Sequence, residues 1–259
     1  MSTARFSKAG ADLSGPVEDY LKAIYELERS GEPAETNAIA RLLDIAPASV
    51  SGMVRRLANQ GLIRHERYHG ARLTTAGRRA ALRTLRRHRV IEAYLTSVLD
   101  YTWDRVHDEA ERLEHAASDE LIDRMAAAIG EPETDPHGAP IPTREGTLSE
   151  RTLVPLSSLE PGQSVRVARV SDHSGERLRY LAELGIVPGE HVKIIAREPF
   201  DGPIALRVVA GAGGGGTAGG GGGNIDRTIG CELASQILVA PLGPLAPRRS
   251  RSGGPTDTR

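Results

Sequence analysis

Aromatic residues make up only 3% of the 259 positions, a scarcity that argues against the stacking platforms used to hold single-stranded nucleic acid. There is one cysteine, Cys231, so neither an internal disulfide nor a thiolate zinc site can be built. No run approaches the roughly eighteen apolar residues of a membrane-spanning helix. The opening MSTARFSKAGADLSG holds no apolar stretch of secretory-signal length. A cytoplasmic protein with no membrane partner is expected. A large net charge is missing too, since 33 Lys and Arg stand against 34 Asp and Glu.

What is present is unevenly spread. Residues 1–90 carry 16 basic and 9 acidic side chains, whereas residues 91–148 carry 4 and 14. A basic segment joined to a strongly acidic one suggests a polyanion binder beside something that holds cations. With 39% hydrophobic and 26% charged residues the chain should fold, and its length suggests two or three domains.

Residues 1–15 are small and polar, and are expected to fray. From Pro16, VEDYLKAIYELER sets Val17, Tyr20, Leu21, Ile24 and Leu27 on one helical stripe. TNAIARLLD predicts a second helix with Thr36 or Asn37 as N-cap. SVSGMVRRLANQG predicts a third, with Val50, Val54 and Leu57 inward and Gly61 as its stop. LIRHERYHGARL then reads as a hairpin around Tyr68–Gly70. Helix, turn, basic helix and wing are the order of a winged helix-turn-helix domain, placed at 16–76. The third helix would project Ser49, Ser51, Arg55 and Arg56 into a major groove, with Arg67 and Arg72 of the wing gripping the backbone. A purely structural bundle with a solvated basic face is the bland alternative.

TAGRRAALRTLRRHRVIEAYLTSVL predicts one long helix with Leu82, Leu85, Ile91, Leu95 and Val98 toward a core. WDRVHDEAERLEHAASDELIDRMAAAIG predicts another, with Val106, Ala110, Leu113, Leu121 and Met125 inward. Neither has enough polar cover to stand alone, so packing against a second copy is expected. The stretch EPETDPHGAPIPTREG reads as a Pro/Gly loop closing a helical domain at 77–146. From 150 to 241, alternating segments and one short helix suggest a small SH3-like (FeoA-like) β-barrel. Its glycine run at 211–224 reads as a surface loop, because no GK[ST] follows. Residues 242–259 are disordered by composition.

The acidic segment holds His107-x-x-x-Glu111-x-x-Glu114-His115, whose offsets share one helical stripe. His88 and Glu92 form an i, i+4 pair, and Asp19 stands at the edge of the first helix's apolar stripe. Any one of these is an ordinary helix residue. Together they bring several carboxylates into one place, which is costly unless a cation neutralises them. Mixed imidazole and carboxylate suit a divalent transition metal. Enzymatic patterns fail. An inverted zinc-peptidase motif needs a His where Glu111 stands, and neither helix has the Glu-x-x-His of a di-iron site.

In order and spacing, VEDYLKAIYELE, the winged helix, RRHRVIEAYL, VHDEAERLEHAASDEL and DPHGAPIP resemble the DtxR/MntR family of metal-dependent transcriptional repressors. The likeness spans roughly 15–240. It implies a homodimer with a winged helix, a helical metal-binding and dimerisation domain, and a C-terminal SH3-like domain, acting on double-stranded operator DNA and without enzymatic activity. By resemblance Asp19, Glu111, Glu114 and His115 match a primary metal site, and His88, Glu92 and His107 an ancillary one. Iron-responsive members carry Met and Cys where Asp19 and Glu111 stand, so the hard carboxylates here resemble the manganese branch. That branch has Glu where this chain has Lys22. In long members the SH3-like domain donates a carboxylate and an amide, and Ser174 and Arg177 align there, with Glu176 the nearest replacement. The resemblance implies a repressor of metal-uptake genes activated by Mn²⁺, or alternatively by Fe²⁺. A metal-dependent hydrolase and a metal-independent winged-helix regulator are the readings outside it.

Overall fold

The computed structural model describes residues 13–29, 31–66, 69–149, 151–171, 174–209 and 224–242. The expected frayed start, glycine loop and tail therefore lie outside the described residues, save for 13–15, 224 and 242, and so does Arg67. Two compact units divide the chain at Arg151–Thr152.

The first unit opens with helices α1 (Gly15–Glu28), α2 (Thr36–Leu42) and α3 (Pro47–Asn59), followed by strands β1 (Ile63–Glu66) and β2 (Gly70–Leu73). Pro16 sits in the first turn of α1, where its missing N–H is harmless. The stripe Val17, Tyr20, Leu21 and Ile24 is buried against Ile39, Val50, Val54 and Leu57 of the next two helices. At α2 the cap differs from expectation: Glu35 holds the cap position with no side-chain bond, and Thr36 is already helical. Helix α3 begins at Pro47, whose fixed φ suits the opening turn, two residues ahead of Ser49. β1 and β2 pair antiparallel from Ile63–Leu73 to Glu66–Gly70, and Ala71 also bridges Ala34.

The wing leads directly into α4 (Thr75–Leu99). Thr74 caps it by accepting from the Gly77 amide, and its hydroxyl lies 2.8 Å from the Gly61 carbonyl oxygen. Gly77 is there for closeness, because a Cβ would stand 1.9 Å from the Leu62 carbonyl oxygen. The following stretch is two helices rather than the one expected, α5 (Val106–Glu114) and α6 (Asp119–Ala128). The Ser118 hydroxyl accepts from the Leu121 amide and restarts the backbone as an N-cap. Val90, Ile91, Leu95, Val106, Ala110, Ile122 and Ala126 form the core of this part. Leu121, which the periodicity places inward, is exposed, because the break brings Ile122 and Ala126 inward in its place; Val98 and Leu113, also placed inward by the periodicity, are exposed as well.

The second unit contains β3 (Val154–Pro155), β4 (Ser164–Val170), α7 (Gly175–Glu183), β5 (His191–Arg197), β6 (Ile204–Val209), β7 (Ile225–Ile229), α8 (Cys231–Ser235) and β8 (Ile237–Pro241). The strands form one antiparallel SH3-like sheet in the order β3-β8-β4-β5-β6-β7. Alternating residues Val165 and Val167, Val192 and Ile194, Ile204 and Leu206, Ile237 and Val239 face its core. Irregularities at Val167/Arg169 and Ile194/Ala196 bend it, as bulges do in small closed sheets. Among the described residues, no helix is long and apolar enough to cross a membrane.

Candidate metal centre and DNA-reading face

Four segments of the first unit converge on one polar cluster. α1 contributes Glu18, Asp19 and Lys22, and α4 contributes Arg87, His88, Arg89 and Glu92. α5 and its C-cap contribute His107, Glu111, Glu114 and His115. The loop after α6 adds Asp135 and His137, both buried. Ligand-capable atoms gather in three groups among the described residues: Asp19, Glu114 and His115; His88, Glu92 and His107; and Glu92, Asp135 and His137.

The first group joins α1 to α5. His115 Nε2 lies 2.9 Å from Asp19 Oδ1 and 3.5 Å from Glu114 Oε1. Its other ring nitrogen, Nδ1, donates to Glu18 Oε2 at 2.7 Å. A carboxylate on one face of the ring fixes the imidazole and turns its second nitrogen toward Asp19 and Glu114. Glu18 is itself held by Arg87, whose Nη1 donates to Oε1 at 3.2 Å and whose Nε reaches Asp119. Burial would lower the His115 pKa, but Glu18, Asp19 and Glu114 outweigh it and raise it. Burial raises that of Asp19 against the pull of His115 and Lys22.

Glu114, fully buried, links the first two groups. His88 Nδ1 contacts its Oε2 at 2.6 Å, while Lys22 Nζ donates to its Oε1 at 2.7 Å. These two contacts overcome the effect of burial and lower the Glu114 pKa. On its other side His88 Nε2 lies 3.0 Å from Glu92 Oε1 and 3.1 Å from His107 Nδ1. Burial alone would depress His88, yet hydrogen bonding to Glu114 and Glu92 pushes its pKa up to about 9. Glu92 is held well below the ordinary carboxylate range, as contacts with His107, His137 and His88 outweigh its burial.

The third group was not assigned from the sequence. Asp135 Oδ1 accepts from the backbone amides of His137 and Ala139, both at 2.9 Å, and so shapes the Asp-Pro-His-Gly turn. His137 Nε2 donates to the Trp103 carbonyl oxygen at 2.7 Å, which directs Nδ1 toward Glu92 Oε2 at 3.7 Å. Glu92 Oε2 and Asp135 Oδ2 are buried without a hydrogen-bond partner. Arg89 Nε stands 3.4 Å from Asp135 Oδ2, yet burial and the nearby Glu92 push the Asp135 pKa up to about 6. Two buried carboxylate oxygens facing one imidazole nitrogen make a donor set that a cation would satisfy. The only sequence signal was a carboxylate and an imidazole two residues apart inside a Pro/Gly loop, where no periodicity reports direction.

All seven residues expected at the metal stand in one connected network, and six of them fall in the three groups. Glu111 belongs to none of the three groups. Its half-exposed carboxylate lies 3.5 Å from Lys22 Nζ and 3.7 Å from His107 Nε2. In the second unit Ser174 caps α7 by accepting from the Arg177 amide, Arg177 pairs with Glu232 at 3.1 Å, and Glu176 is exposed.

Ser49, Ser51, Arg55 and Arg56 are exposed on α3, and Arg72 is exposed on β2. Several are tied locally. The Ser51 hydroxyl donates to the Pro47 carbonyl oxygen, Arg55 Nε to that of Ser51, and Arg72 Nη2 to that of Gly31.

Comparison with known proteins follows the same partition. Residues 12–71 match the iron dependent repressor N-terminal DNA binding domain, 74–143 the iron dependent repressor metal binding and dimerisation domain, and 154–241 the FeoA domain. The iron-dependent repressor IdeR of Mycobacterium leprae is 32% identical over 195 residues, covering 71% of this chain and 85% of that one. The diphtheria toxin repressor of Corynebacterium jeikeium is 32% identical over 210 residues, covering 72% and 88%. Among solved structures, a manganese-dependent transcriptional repressor in complex with manganese is 37% identical, with a TM-score of 0.77 over 87% of this chain and all of that one. T. acidophilum IdeR is 31% identical, with a TM-score of 0.68, covering 86% and 97%. A helix-turn-helix head, a dimerisation domain carrying clustered carboxylates and imidazoles, and matches over all three segments lead to one conclusion: the chain belongs to the DtxR/MntR family of metal-dependent, DNA-binding transcriptional repressors, which are not enzymes.

Proposed function

We propose that this repressor is activated by Mn²⁺ and silences metal-uptake genes in the cytoplasm as a homodimer on double-stranded operator DNA. The observation that carries the metal assignment is the donor set: the three groups hold carboxylates and imidazoles, with no thiolate. Hard oxygen donors suit manganese and give softer metals less advantage, although intrinsic affinities rise from manganese through iron. Fe²⁺ is the second reading, favoured by the iron-dependent repressors among the relatives.

We assign Asp19, Glu114 and His115 to one metal position, with Glu111 as a carboxylate at its rim. His88, Glu92 and His107 are assigned to a second position. Asp135 and His137 extend that second position through the oxygen of Glu92 that has no hydrogen bond. When bound, the divalent ion supplies the positive charge that these carboxylates share. The chain's own residues do the rest. Glu18 orients His115, and Asp19 ties α1 to α5. α1 is packed into the winged domain through Val17, Leu21 and Ile24, so fixing Asp19 fixes the heading of α3. A second copy would cover the exposed Val98, Leu99, Leu113 and Leu121 of the dimerisation helices and set two α3 helices in successive major grooves.

Fluorescence anisotropy on a duplex selected from a random library tests this reading, with Mn²⁺, anaerobic Fe²⁺, Co²⁺ and Zn²⁺ compared in one buffer. Binding restored to chelated protein at the lowest free concentration of Mn²⁺, relative to cytosolic availability, is the expected result. Equal binding in chelator would overturn it.

A further inference from the structure

Besides Arg87 and Arg89, the cluster contains a lysine. Lys22, one of only three lysines in the chain, lies one turn beyond Asp19 on the same face of α1. Its Nζ donates to Glu114 Oε1 at 2.7 Å, and that same oxygen is the one 3.5 Å from His115 Nε2. The other oxygen, Oε2, is occupied by His88 Nδ1 at 2.6 Å, so the buried carboxylate cannot simply turn to offer a fresh atom. We propose that Lys22 is a built-in competitor of the metal at the Asp19–Glu114–His115 position, holding the oxygen the ion needs and thereby setting the concentration at which the repressor loads. This rests on the reading of that group as a metal position.

Three further features support displacement. A divalent ion and an ammonium sharing one carboxylate oxygen repel each other, and in a partly buried setting that repulsion is screened little. Lys22 has somewhere to go, because the half-exposed Glu111 Oε1 stands 3.5 Å from Nζ and can accept it while α1 remains tethered to α5. A compact ammonium on a flexible stem can make that short swing, which a planar guanidinium, seated as a fork, does poorly. Carboxylates gathered without metal repel one another across α1 and α5, and the same contact opposes that repulsion. Lys22 neutralises part of that charge, so the unloaded protein stays folded and only its affinity is reduced.

The test uses the full chain and Mn²⁺ itself, with the free-ion electron paramagnetic resonance signal reporting binding and thermal unfolding measured in chelator and in saturating Mn²⁺. Lys22→Gln is expected to bind Mn²⁺ at least tenfold more tightly at this position, to melt lower than wild type in chelator, and to melt as high or higher with Mn²⁺. A merely structural lysine would lower both melting points. Unchanged or weaker Mn²⁺ binding by Lys22→Gln overturns the proposal. If that variant does not fold in chelator, Lys22→Arg decides: it retains the charge, so an affinity no higher than wild type supports competition and a tenfold gain refutes it. His115→Ala separates the two layers of argument. If it keeps every Mn²⁺ ion that wild type binds, the metal position itself is wrong; if it loses one while Lys22→Gln changes nothing, only the competition fails.

Discussion

Glu18 is the residue whose removal should separate packing from metal binding most cleanly. Its two oxygens have different tasks: Oε2 accepts from His115 Nδ1 at 2.7 Å, and Oε1 accepts from Arg87 Nη1 at 3.2 Å. Loss of one partner of a buried ion pair usually costs about 3–5 kcal/mol. Here Arg87 keeps Asp119, whose Oδ1 accepts from its Nε at 3.0 Å, so the Glu18→Ala penalty should fall to about 2 kcal/mol. Loss of the carboxylate behind a metal-binding imidazole typically reduces affinity about 10–100-fold, or roughly 1.4–2.7 kcal/mol. Glu18→Gln divides the two effects. Its amide oxygen can still accept from His115, while its NH₂ then faces the Arg87 guanidinium. The alanine variant should lose both stability and Mn²⁺ affinity, whereas glutamine should recover most of the affinity and little of the stability. Urea unfolding in chelator reads the first quantity, and titration of the free Mn²⁺ resonance reads the second. Wild-type affinity in Glu18→Ala would refute the idea that this carboxylate sets the His115 ring.

Other outcomes follow from the same geometry. Gly77→Ala should destabilise the wing–α4 junction by at least about 2 kcal/mol, since its Cβ would meet a backbone oxygen that cannot move aside; an unchanged urea midpoint would contradict that packing. His88 has its pKa raised from 6.5 to about 9, so its contribution to folding is complete below pH 6.5 and lost as pH rises through 9. In chelator, stability should therefore decline across that window in wild type and more weakly in His88→Gln. On α3, Arg55→Ala and Arg56→Ala should each lower the salt slope of DNA binding by about one contact, on specific and scrambled duplexes alike. Retention of the full slope by both variants would remove α3 from the groove. Leu113→Glu with Leu121→Glu should shift the protein toward monomer in sedimentation, because both side chains are exposed on the face assigned to the second copy.

Local pattern determined much of this protein. The stripe from Val17 to Ile24, the wing and the alternation of the second unit are short-range signals, and the corresponding elements form where those signals fall, whereas α3 starts at Pro47, two residues before the segment read as helical. Helical spacing also picked out six of the seven metal-site candidates, because neighbours three or four apart on one helix share a face, while Asp19 entered only from the edge of its helix's apolar stripe and from the family resemblance. Tertiary structure decided what those residues do to one another. Glu18 and His115 are 97 positions apart, and no periodicity reports that the first holds the ring of the second. Spacing groups Glu111 with Glu114, but helical rotation against α1 buries one and leaves the other half exposed. The break at Ser118 turned Leu121 outward, since a side-chain cap overrode a continuous apolar pattern. Asp135 and His137 became visible only when the loop after α6 was laid against Glu92, for a loop has no period from which direction can be read. Whether Lys22 covers solvent or competes for a carboxylate oxygen depends on a contact 92 residues away, and only the packing of α1 on α5 makes that contact.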